Sequence, residues 1–130
     1  MLSRFRLAAE IGKGSPEEGA KAYDALASDA SLSETWQGLA RLRAAMLRMD
    51  QADSSATVRQ NLEGLATPTG IWRHTARELL GLSGLKAGDM DYAGRWFDQI
   101  AADHDTPPAL RQRLQIYTAL VAGGSVQVTQ

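Results

Sequence analysis

Few residues in this 130-residue chain combine the type and spacing that chemistry needs. His74 and His104 fall on separate segments, and neither has a second His or a Cys at metal-ligand spacing. Asp103-His104-Asp105 offers three donor side chains in succession, but it occupies the turn before Thr106-Pro107 and reads as a solvated helix end. Asp89 and Asp91 begin a D-x-D pattern that stops at Tyr92-Ala93, without the further oxygen donors and closing Glu of a calcium loop. A helix cap followed by a first-turn acid accounts for both. Gly12-Lys13-Gly14-Ser15 hints at a phosphate loop, but it lacks the G-x-x-x-x-G-K-[ST] frame and follows a helical pattern instead of a strand. There is no cysteine and hence no thiolate nucleophile. The many Ser, Asp and Glu residues have no Ser-His-acid context. The expectation is a chain that is not an enzyme and that holds no metal and no cofactor.

Composition narrows the partners. The chain has 14 Lys and Arg against 15 Asp and Glu, for a net charge of −1, and lacks the basic excess of a nucleic-acid binder. The cations are spread along the sequence among carboxylates, which reads as a solvated helix surface. No apolar run approaches the roughly 18 residues of a membrane span. Met1-Leu2-Ser3-Arg4-Phe5-Arg6-Leu7 has charges inside it and is not a secretory signal. It opens without a cap residue, so Met1 is expected not to be the native start.

The elements that position these residues are all helical. Ser15-Pro16-Glu17-Glu18 combines a cap, a first-turn Pro and a Glu three residues after the cap. Ser33, Asp53-Ser54, Gly88-Asp89 and Thr106-Pro107-Pro108 read as further starts, and Gly12, Gly14 and Gly123-Gly124 as stops. About seven antiparallel helices follow, near 2–12, 16–28, 33–49, 54–66, 71–87, 90–103 and 108–122. They group as hairpins 2–28, 33–66 and 71–103 with a closing helix 108–122, in one repeat domain over 1–124. Residues 125–130 read as a flexible tail.

A repeat runs through them. Ala22-Tyr23-Asp24-Ala25-Leu26-Ala27, Asn61-Leu62-Glu63-Gly64-Leu65-Ala66 and Trp96-Phe97-Asp98-Gln99-Ile100-Ala101 share one pattern at offsets of 39 and 35 residues. Trp36 and Trp72, like Ala40-Arg41 and Ala76-Arg77, stand 36 apart, and Leu85-Lys86-Ala87-Gly88 returns 35 residues later at Leu120. The period lies near the 34 residues of tetratricopeptide repeats. One copy carries that signature: Leu80-Gly81, Gly84, Gly88-Asp89, Ala93, Phe97 and Pro107. Small residues at Gly81 and Ala93 let two helix axes approach, and Phe97 fills the space toward the next hairpin. Gly84 stands where the family usually has an aromatic, and the end copies are degenerate. The fold class is therefore expected to be all-α, a right-handed α-α superhelix of tetratricopeptide type.

The chain further resembles the tetratricopeptide-like domain of the ancillary SecYEG translocon subunit and cell-division-coordinator type, found in membrane-anchored bacterial proteins. Tyr23-Asp24-Ala25-Leu26-Ala27-Ser28-Asp29-Ala30, Leu39 to Ala45, Trp72 to Leu80, and Leu85-Lys86-Ala87-Gly88-Asp89 with Ala93 carry the resemblance, over roughly residues 5 to 122. It implies a missing N-terminal membrane anchor and repeats on the periplasmic side of the inner membrane. A cytoplasmic location is the alternative. It also implies contact with the protein-export machinery or envelope assembly.

In tetratricopeptide arrays the first helix of each hairpin lines the concave face. By position, Leu39, Leu42, Arg43 and Met46, with Thr75, Glu78, Leu82 and Lys86 from the following hairpin, form the candidate partner-binding surface. Leu and Met mixed with a few charges suit partly apolar peptide or helix segments of other proteins. Trp36 and Trp72 read either as inter-repeat packing or as anchors on a groove rim. The function expected is a non-catalytic adaptor or chaperone-like interaction module. A structural or oligomerisation domain, such as a weak homodimer, is the alternative.

Overall fold

The computed structural model describes the backbone of residues 2–129 and the side chains of residues 2–124. It is all-helical, with no strand among the described residues. Seven α-helices follow one another: α1 Leu2–Gly14, α2 Pro16–Ala27, α3 Glu34–Arg48, α4 Ser55–Leu62, α5 Arg73–Ala87, α6 Met90–Ala102 and α7 Pro108–Thr129. A 3-10 turn, Glu63–Leu65, tightens the end of α4.

Several of the starts form as the local chemistry dictates. The Ser15 side chain accepts from the Glu18 amide at 3.3 Å and Pro16 takes the first helical position of α2. Ser33 accepts from the Trp36 amide at 3.4 Å. Gly88 closes α5 in the left-handed region (φ 76°, ψ 13°), and the next amide, that of Asp89, donates to the Gly84 carbonyl at 2.8 Å. The Asp89 carboxylate then caps α6 by accepting from the Tyr92 amide at 3.1 Å.

Other expected signals are put to different use. Ser54 makes no side-chain cap bond, and Asp53 before it adopts a positive φ of 58°. Thr106 is buried and does not serve α7: its hydroxyl donates to the Ile100 carbonyl at 2.8 Å, satisfying the end of α6. Gly12 does not end its helix but sits inside α1. Gly123-Gly124 likewise does not stop α7, whose backbone stays helical to Thr129. The side chains of the expected tail, 125–130, lie outside the described residues.

Contacts give the topology. Sequence neighbours pack antiparallel: Gly12 meets Gly19 and Phe5 meets Tyr23 between α1 and α2, while Gly84 meets Ala93 and Gly81 meets Phe97 between α5 and α6. Alternate helices run side by side in the same direction. From α3 to α5, Gly38 touches Trp72 near one end and Met49 receives Lys86 near the other. Glu78 of α5 meets Arg113 and Tyr117 of α7, and Phe5 of α1 meets Trp36 of α3 at 5.4 Å between ring centroids. The odd-numbered helices thus adjoin one another as one layer.

Three core clusters lie in a row along this array. Ala8, Ala20, Tyr23, Leu26, Ala40 and Ala44 join α1, α2 and α3. Leu42, Ala45, Val58, Leu62, Ala76, Leu80 and Tyr92 join α3 to α6. Ala93, Phe97, Ile100 and Leu110 join α6 to α7, with the Phe97 ring stacked on Tyr117 at 5.1 Å. Burying each Leu or Ile here contributes about 1.5–3 kcal/mol. Where small residues face each other the backbones themselves meet: a Cβ added at Gly19 would stand 2.8 Å from the Gly12 nitrogen.

Candidate partner-binding face

On α3 the buried side chains fall on two flanks. Leu42 and Ala45 join the core shared with α4 and α5, whereas Ala40 and Ala44 join the core shared with α1 and α2. At 100° per residue, Leu39, Arg43 and Met46 fall together on the stripe between those flanks. Leu39 is half-buried, Arg43 is exposed and Met46 is 47% exposed. Leu42 does not belong to the face: it is 3% exposed and part of the core, because the helical period turns it toward α5 with Ala45.

On α5, Thr75, Glu78, Leu82 and Lys86 likewise share one stripe, away from Ala76 and Leu80 on one side and Gly81 and Gly84 on the other. Thr75 is open and Leu82 half-buried. Glu78 is already occupied. It accepts from the Arg113 guanidinium at 2.7 and 3.0 Å and from the Tyr117 hydroxyl at 2.5 Å, tying α5 to α7. The Arg113–Glu78 bond raises the Arg113 pKa further, and burial together with Glu78 pushes the Tyr117 phenol up. The Lys86 ammonium donates to the carbonyls of Met49 and Gln51, so it also braces the connection between α3 and α4.

The stripe continues onto α7, which the sequence treated only as a closing helix. Next to Arg113, Ile116 and Leu120 are 63% and 54% exposed.

The cations concentrate on the odd-numbered helices. Of the Lys and Arg residues only Lys21, Arg59 and Arg95 lie off the odd-numbered helices, and of the Asp and Glu residues only Glu10, Glu34 and Glu78 lie on them. The remaining carboxylates divide between α2 and α6 (Glu17, Glu18, Asp24, Asp91 and Asp98) and the connections between helices. Part of this charge is spent internally. Arg48 is buried and bound to Asp24 at 2.7 Å and Glu17 at 3.4 Å; the Asp24 bond raises its pKa against burial. Arg73 and Arg77 converge on the Asp103 carboxylate, each at 2.7 Å. Arg43 has no ion-pair or hydrogen-bond partner among the described residues.

The remaining sequence candidates fall inside these joints. Asp103 is not a solvated helix end but the hub of an ion cluster. Hydrogen bonds from Arg73, the Asp105 amide and Arg77 hold its carboxyl well below the usual range. His104 is exposed beside it, and no group of three or more His, Cys, Asp or Glu among the described residues could hold a metal ion. His74 is half-buried with an unpartnered Nδ1, and burial followed by the Arg73 charge lowers its pKa. Trp72 packs on Gly38 and donates from Nε1 to the Thr35 carbonyl at 2.9 Å, so it belongs to the α3–α5 joint. Trp36 packs on Phe5 in the same way between α1 and α3. Tyr92, unremarked in the sequence, donates to Glu63 at 2.8 Å under the Arg59 guanidinium; burial and then Glu63 push its pKa up to about 12.

An open cleft of about 360 Å³ lies between the α3–α4 connection and α5, lined by Met49, Gln51, Ser54, Ser83 and Lys86. Its buried hydroxyl, on Ser83, donates to the Leu80 carbonyl, and no histidine lines it. No helix of the described residues is long and apolar enough to cross a membrane. No protein-family model, curated protein or solved structure matches the chain.

Proposed function

We propose that the chain is a non-catalytic protein–protein interaction module, an adaptor or chaperone-like stack of tetratricopeptide-type hairpins wound into a right-handed superhelix. The observation that carries this reading is the stripe of Leu39, Arg43 and Met46 on α3 beside Thr75 and Leu82 on α5, partly apolar, with Arg43, Met46 and Thr75 open and the two leucines half-buried. Antiparallel hairpins with parallel alternate helices support a stacked array, and the 35 to 39-residue spacing supports its repeat character. The resemblance to translocon-associated, membrane-anchored proteins points to the periplasmic side of the inner membrane and to clients of export or envelope assembly.

The test compares capture from a bacterial envelope extract by the wild-type chain and by Met46→Glu with Leu82→Glu, both checked for unchanged helicity and melting. The captured set is expected to be lost with the substitutions. An identical set on both forms overturns the docking face.

A second reading, an oligomerisation domain, draws on the far side of α7, where Leu114, Ala119 and Ala122 with Arg111 and Gln115 form an open slot. Light scattering across concentration separates the two: a mass that stays that of one chain rejects self-association.

A further inference from the structure

We propose that the segment docking on this face is acidic and amphipathic, a partner helix carrying Asp or Glu around a Leu, Ile or Phe stripe. The inference rests on the docking reading above and adds the partner's chemistry. Two cations stand on the stripe, Arg43 and Lys86, and its single carboxylate, Glu78, is already paired with the Arg113 guanidinium and the Tyr117 hydroxyl at its edge. The face is therefore net positive, although the whole chain carries −1. Arg43 stands between Leu39 and Met46, so a ligand that buries its own apolar side chains there brings its neighbouring residues within reach of the guanidinium. An acidic residue satisfies that contact, whereas a basic one leaves two like charges facing each other as water is excluded. Apolar and basic groups at i, i+4 and i+7 match the repeat of a helix laid alongside, which presents its own side chains at the same intervals.

The experiment is a selection of 16-residue peptides from a random display library on the full chain, with affinities then measured by fluorescence anisotropy. Enriched peptides are expected to carry a clear acidic excess with apolar residues three and four apart, and to bind about tenfold more weakly to Arg43→Glu. Lys21→Glu, the same charge change on α2, is expected to leave their affinity unchanged. Circular dichroism and melting confirm that both variants fold. Both Arg43→Glu and raised salt should shift the preference away from acidic peptides. Enrichment of neutral or basic peptides overturns this inference alone and leaves the docking face standing. If no peptide is enriched and vesicles containing phosphatidylglycerol bind through Arg43 instead, both the inference and the docking reading fall.

Discussion

Asp103 shows how much a single carboxylate can organise. It accepts from two guanidiniums, and Asp105 shares one of them, Arg73, at 3.3 Å, while His104 between them faces outward and takes no part. Because its folded pKa is depressed, the cluster contributes stability that is fully present above the ordinary carboxylate pKa, about 3.9. That stability is lost as pH falls below this value toward the folded one. Denaturant midpoints measured from pH 6 to pH 3 should decline, and Asp103→Asn should melt lower at pH 6 while losing much of that decline. His74 acts in a higher window: its lowered folded pKa means the unfolded chain takes the proton first, so stability should fall from pH 7 to pH 5, and His74→Gln should flatten the slope. Neither role was legible beforehand, because Arg73 and Arg77 lie 30 and 26 residues from Asp103 and a local reading sees only His104. The glycines divide in the same way. Gly19→Val should destabilise by about 1–3 kcal/mol or more, since its side chain would strike the Gly12 backbone. Gly14→Ala, with nothing near its added Cβ, should be neutral or stabilise by up to about 1 kcal/mol in the same denaturation series.

Helix boundaries were legible where the signal is satisfied within one turn and illegible where the tertiary structure competes for it. Ser15, Ser33 and the Gly88-Asp89 pair bond to amides or carbonyls within five residues, so the local sequence suffices. Thr106 reaches back to Ile100, and Gly124 lies against Met90, so both are claimed by neighbours that spacing does not reveal. Gly88→Ala should cost about 1 kcal/mol, because the residue must keep its positive φ while an open surface offers no compensating contact. Thermal melting checks it. The same distinction explains the candidate face: the helical period placed Leu39, Arg43 and Met46 together, but only the position of α5 shows that Leu42 faces inward.

Across the whole molecule, the all-helical character was legible because it follows from caps, breakers and short connections. The gathering of cations on one layer was not, since it appears only once the odd-numbered helices are placed side by side. The three core clusters predict graded cooperativity. Leu26→Ala should cost about 2–5 kcal/mol, and native-state hydrogen exchange should speed up in α1 to α3 while amides of α6 and α7 keep near-native protection. Uniform loss of protection would show that the clusters unfold as one. Lys86 has a more practical consequence. The chain has only three lysines, and the ammoniums of Lys13 and Lys21 stand on widely exposed side chains while that of Lys86 is held by two carbonyls. Amine-reactive dyes and coupling resins should therefore attach first at the α1–α2 hairpin, immobilising the molecule by that end with the stripe on α3 and α5 left open to solution.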